Sequence, residues 1–129
     1  MDFLSRYSSQ ILGITRIVAG LAFLEHGTTK LLNFPPGPMH PALTTLPGAG
    51  GVIELVAGAL ILLGLFSRWA AFIASGEMAV AYWMMHFPKS PWPLANMGEG
   101  AILFCFIFLF IAATGPGAWS LDGMMGKKR

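Results

Sequence analysis

Charge is scarce in this chain: of 129 residues only 11% are charged, six acidic and eight basic, while 55% are hydrophobic. A soluble domain of this size needs a charged surface to stay in solution, so the composition excludes disorder and points to the bilayer as solvent. Cysteine is nearly missing too. Cys105 is single, which excludes an intrachain disulfide or dithiol, and between Phe104 and Phe106 it has no neighbouring positive charge to activate it, so it is read as packing. There is no HxxxH or ExxH spacing, and Glu25 and His26, adjacent on a helix, point apart; no metal site is expected. An iron–sulfur cysteine set and a haem motif are likewise absent. The formal net charge of +2 resides mostly in Lys127, Lys128 and Arg129, a balance unsuited to nucleic acid as a partner.

What is present is apolar sequence in long runs. A membrane-crossing helix needs about 20 residues. Four runs qualify, over about residues 8–32, 51–66, 69–87 and 94–114, within a single domain covering 1–129. They predict an all-α, polytopic membrane protein, an antiparallel four-helix transmembrane bundle. Between the second and third runs only Ser67 and Arg68 remain, which predicts a tight hairpin with Arg68 at the surface. The stretch 33–50, interrupted by Pro35, Pro36, Pro38, Pro41 and Pro47, is expected to be non-helical, and FPKSPWP at 87–93 suits a turn at headgroup level. Arg16 interrupts the first run and Asp2 precedes it, so a retained span is favoured over a cleaved signal. Counting basic residues at the span ends sets Arg6, Arg68, Lys127, Lys128 and Arg129 on one side against Lys30 and Lys89 on the other, which predicts both termini in the cytoplasm.

Four of the six acids, Glu25, Glu54, Glu77 and Glu99, fall inside the predicted spans together with Arg16. A charge at mid-membrane costs about 2.5 to 3.5 kcal/mol on insertion scales, so these groups are expected to face inward, paired or wetted. At about 1.5 Å per residue Arg16 and Glu77 stand about 12 and 13 Å above the cytoplasmic boundary, and a buried ion pair between them is predicted. Glu54, Glu99, His26, His86 and Asn96 gather nearer the other face as the candidate ligand-binding residues of an outer-facing polar pocket. No catalytic residue is assigned. Gly20 and Gly27 share a stripe with Arg16 and predict a close helix crossing, whereas Glu25 points the opposite way, toward a subunit of a homo-oligomer.

Arg16 with HGTTK (His26, Gly27, Lys30), the segment IELVAGALILLGLFSR (Glu54, Gly58, Gly64, Arg68), AVAYWMMHFPKSPWP (His86, Pro88), and NMGEGA followed by GPGAWSLD (Asn96, Gly98, Glu99, Gly115, Pro116, Gly117, Ser120, Asp122) stand in this order. In these elements the chain resembles the DoxX family of small bacterial four-helix membrane proteins. The resemblance implies a bundle in the bacterial cytoplasmic (inner) membrane, associated with quinol-oxidase and thiosulfate-oxidising systems.

Two function classes follow. One is an accessory subunit of a quinone-linked membrane redox system, binding a small ligand or quinone head group in the polar pocket, with membrane oxidoreductase subunits as partners. The other is a non-enzymatic scaffold or assembly factor, its charges serving as interhelical glue and a small-residue face (Ala70, Ala74, Ala81) meeting its partner. Transport ranks last, since no second polar cluster beyond Arg68 is visible near the cytoplasmic end.

Overall fold

The structure is a computed structural model describing residues 1–126, so the contribution of Lys127, Lys128 and Arg129 to the orientation argument lies outside the described residues. Among those described residues the chain is all-helical, without a strand. In chain order come a single turn α1 (Asp2–Ser5), the long α2 (Ser8–Leu32), α3 (Leu46–Leu63), α4 (Ser67–Ala81), a short α5 (Pro93–Asn96), α6 (Glu99–Thr114) and a final turn α7 (Leu121–Met124). A π-helical turn, Tyr82–His86, and a 3-10 turn, Phe87–Lys89, extend α4. Two helices, α2 and α3, are long and apolar enough to cross a membrane; α6 is apolar but shorter.

The boundaries follow from local chemistry, and the expected fourth run over 94–114 is split where Met97 takes a positive φ, so that α6 starts only at Glu99; two further differences concern α3 and α4. First, α3 starts inside the proline-rich stretch. Thr45 is its N-cap, its hydroxyl accepting from Gly48 N at 3.3 Å, and Pro47 sits in the first turn, where no backbone donor is needed. Residues 46–50 are therefore helical, contrary to the expected start near residue 51. Second, the α3–α4 reversal uses Gly64 and Phe66, both with positive φ, and Ser67 and Arg68 already belong to α4. At the other end of α4, Pro88 cannot donate to the ladder, and the helix loosens there into the wider and then tighter turns.

Packing is inverted relative to a water-soluble core. Six of the twelve buried hydrophobic residues are alanine, whereas Val18, Leu21, Val56, Phe72, Phe106 and Phe110 are each more than half exposed. Small residues inside and large apolar ones outside are what close-packed helices in acyl chains require. Ala70 and Ala74 are among the buried alanines, so the face suggested for a scaffold partner is consumed inside the bundle. The tightest crossing is α2 on α3: a Cβ at Gly27 would lie 2.5 Å from Leu55 N, and one at Gly58 would lie 2.7 Å from Leu24 Cα. The other strongly packed pair is α4 on α6, and α3–α4 joins the two pairs.

The segment after α6 ties the helix ends together. Ala118 N donates to Ser9 O (2.9 Å), and Asp122 N donates to Gly64 O (2.8 Å). The buried Asp122 carboxylate accepts from Phe66 N (3.0 Å), Ser67 N (2.9 Å) and Ser67 Oγ (2.8 Å), capping the start of α4. Arg16, fully buried, donates through Nη1 to Pro116 O (2.7 Å) and Ala118 O (3.1 Å) and through Nη2 to Trp119 O (3.0 Å). The expected Arg16–Glu77 ion pair does not form. The returning GPGAWS segment reaches into the bundle and engages both terminal nitrogens of the guanidinium with three carbonyls, leaving Glu77 to other neighbours.

Candidate functional site

Three helices each supply one ionisable side chain to a single polar cluster: Lys30 from the last turn of α2, Glu54 from α3 and Glu77 from α4. Lys30 Nζ lies 3.0 Å from Glu54 Oε1 and donates to Oε2 at 3.1 Å, with the Glu54 side chain only 2% exposed. The Glu54 and Glu77 carboxyls approach the same stretch of α3 backbone at Gly50. Both carboxyls border Gly50, one turn before Glu54: a Cβ there would fall at van der Waals distance, 3.6 Å, from Glu54 Oε2 and from Glu77 Oε1. Glu77 Oε1 is buried without a hydrogen-bond partner among the described residues. One cation thus faces two acids, and an acidic oxygen is left with unused hydrogen-bonding capacity.

The cluster forms part of the wall of a cavity of about 700 Å³. His26, His86 and Lys89 add polar groups to it, while Met39, Ile53, Ile73, Met85, Met97 and Phe104 make much of the surface apolar. His26, an exposed residue, sets its ring edge-on to Phe104 at 5.9 Å, and His86 Nδ1 is 3.0 Å from Asn96 O. An apolar enclosure with a few convergent polar groups suits a small amphipathic ligand.

Of the sequence-predicted site residues, Glu54, His26 and His86 line this cavity, and Asn96 and Glu99 do not. Asn96 is fully buried and committed to the backbone: Nδ2 donates to Ser90 O (2.9 Å) and Tyr82 Oη (3.2 Å), and Oδ1 accepts from Gly98 N (2.8 Å). It holds the turn between α5 and α6. Glu99 is exposed in the first turn of α6, and Glu25 is exposed on α2, so two of the four membrane-level acids converge and two point away. Glu77, expected beside Arg16, is a site residue instead, and Lys30, expected at the level of the outer pocket but not among its candidate ligand-binding residues, is the cation of the cluster.

A signal for this pairing does exist in the sequence. Glu54 precedes Gly64 by ten residues and Glu77 follows Ser67 by ten, and equal distances from one hairpin put two residues at one level. The expected start of the second span near residue 51 hid it, because Glu54 then ranked as shallow. With α3 starting at Leu46, Glu54 is about 12 Å inside the helix.

The family model described as DoxX matches residues 11–87, more than half of the chain. An uncharacterized protein of Haemophilus influenzae is 40% identical, with 99% of this chain and 100% of that protein covered. An uncharacterized membrane protein of Mycobacterium tuberculosis is 29% identical over 88% of this chain and 80% of its own length. The inner membrane protein YqjF of Escherichia coli is 25% identical over 89% of this chain and 92% of its own length. No solved structure matches the chain.

Proposed function

The chain belongs to the DoxX family of membrane proteins, and from that premise we propose that it binds the head group of a quinone-like amphiphile in the Lys30–Glu54–Glu77 cavity, as an accessory to a quinone-linked redox system of the bacterial inner membrane. In this reading α2, α3, α4 with its π-helical extension, and α6 make four antiparallel crossings, with both termini and the Arg68 hairpin in the cytoplasm. The relative named as an inner membrane protein supports that location.

The observation that carries the proposal is the pairing of an ionisable cluster with apolar walls in one cavity of about 700 Å³. A quinone head group needs hydrogen-bond donors and acceptors at its oxygens and an apolar path for its tail. Lys30, the two imidazoles and the two carboxyls supply the first, and Met85, Ile73 and Phe104 the second. Two carboxyls gathered at Gly50 beside one cation also give a ligand whose redox chemistry moves protons a group to exchange them with.

A short-chain ubiquinone or menaquinone analogue titrated into detergent-purified protein should bind saturably. Glu54→Gln should weaken binding about tenfold, the worth of a charged hydrogen-bonding group, whereas Glu99→Gln, outside the cavity, should leave it unchanged. Absence of saturable binding, or equal binding by Glu54→Gln and the parent, would overturn the reading. A scaffold role is the second reading, favoured by the exposed carboxylates of Glu25 and Glu99, which are free to meet another subunit. It predicts an enriched membrane partner after mild-detergent pulldown that is lost in the double variant Glu25→Gln, Glu99→Gln.

A further inference from the structure

The opposite end of the bundle holds a second, smaller cavity, of about 280 Å³, lined by Arg68, Thr114, Gly115, Pro116, Gly117, Ser120 and Gly123. We propose that it is a binding site for a phosphate-bearing anion, with the Arg68 guanidinium as its recognition group. The inference is independent of the quinone reading, since the two cavities share no lining residue.

Four observations carry it. Among the described residues Arg68 makes no hydrogen bond or ion pair, and its Nε is buried without an acceptor. The charged neighbours at this end are already committed: Asp122 to three donors, and Arg16 to three carbonyls. The cavity opens in front of the guanidinium and is bordered by Gly115, where a Cβ would fall at van der Waals distance, 3.5 Å, from both Nε and Nη2 and whose φ of +93° favours glycine. The lining contains a guanidinium and two hydroxyls but no carboxylate. Ser120, only 3% exposed, uses its Oγ to accept from Gly123 N at 2.9 Å, which leaves the hydroxyl proton to donate.

The sign and fork geometry select the ligand. A planar guanidinium with an unused donor edge matches two oxygens of a phosphate, and a hydroxyl donor adds a third contact. Position agrees: Trp69, beside Arg68, is 70% exposed, and Trp119, beside Ser120, is 63% exposed, the placing of indoles at the level of lipid phosphates. The shared chemistry is a phosphoryl oxygen pair, whether it belongs to a phospholipid headgroup or to a free anion.

The full chain, purified in detergent, distinguishes these sources. In one arm, native mass spectrometry follows retention of phosphatidylglycerol from mixed micelles with phosphatidylcholine; in the other, inorganic phosphate is titrated against the thermal unfolding midpoint. Arg68→Gln should weaken the responding arm about tenfold or more, and Arg68→Lys, which keeps charge but loses the fork, should lie between. Arg6→Gln, an exposed basic residue outside the site, should match the parent. A response confined to the lipid arm identifies a headgroup, and one confined to inorganic phosphate a free anion. Equal binding by Arg68→Gln and the parent in both arms, or an equal loss in Arg6→Gln, overturns the proposal. Should Arg68→Gln fail to fold, Arg68→Lys and Ser120→Ala carry the comparison: weaker binding in both supports the site, and parental binding in both rejects it.

Discussion

Replacing Arg16 by methionine tests the latch that closes one end of the bundle. The substitution keeps an unbranched apolar stem of similar reach but removes the donors to Pro116 O, Ala118 O and Trp119 O at 2.7, 3.1 and 3.0 Å. Side-chain hydrogen bonds in membrane proteins average about 0.6 kcal/mol, and bonds from a charged donor in general run to about 1.5 kcal/mol or more. Three of them bracket the loss between about 2 and about 5 kcal/mol, the upper part applying if the freed carbonyls stay dry. The assay is reversible unfolding in mixed micelles with increasing dodecyl sulfate, followed by far-ultraviolet circular dichroism. Limited proteolysis should also cut the 115–122 segment, which the parent protects. A loss below about 1 kcal/mol would refute the reasoning, because it would mean that these bonds exchange freely with water. The double variant with Glu77→Gln discriminates further. Since Arg16 and Glu77 share no bond, their effects should add within about 0.5 kcal/mol, whereas a direct ion pair would show a larger coupling.

Other substitutions test separate parts of the architecture. Gly27→Leu should prevent the α2–α3 crossing and abolish the folded, monodisperse species in detergent, because even its Cβ would lie 2.5 Å from Leu55 N, while Gly100→Ala, with nothing within 4 Å, should unfold no earlier than the parent. Asp122→Ala removes the acceptor of Phe66 N, Ser67 N and Ser67 Oγ and should cost about 1 to 3 kcal/mol in the same unfolding assay, with Asp122→Asn less affected. Asn96→Ala should raise amide exchange at Gly98 by releasing the turn, and should leave analogue binding in the larger cavity within about twofold, an effect of about 0.4 kcal/mol.

Much of the fold is legible in composition and spacing because the bilayer imposes few solutions. Scarce charge, long apolar runs and proline-rich breaks point to helices by the requirement that every backbone group bond internally. The close approach at Gly20 and Gly27 was equally readable: a stripe of missing side chains has one structural use, and a Cβ at Gly20 would indeed lie 2.7 Å from Leu62 N. The pocket was only partly readable. Depth along a helix depends on where the helix starts, and Thr45 with Pro47 started α3 earlier than the proline count suggested, moving Glu54 to the level of Glu77. Asn96 and Glu99 illustrate a different limit. Their residue types fit ligand binding, but side-chain direction at a helix start depends on the turn that precedes it, and that turn engages Asn96 and turns Glu99 outward.

Residue order by itself determined that the chain is helical, that polar groups are buried among apolar runs, and that glycine and proline mark the breaks, since all of these are local consequences of hydropathy and backbone chemistry. Only the tertiary structure decided which charges meet. Lys30, Glu54 and Glu77 come from three helices, and Arg16 binds carbonyls 100 to 103 residues away. The physical reason is that an ionisable group under desolvation takes the nearest adequate partner in space, and a returning loop can supply one as well as an opposite charge can.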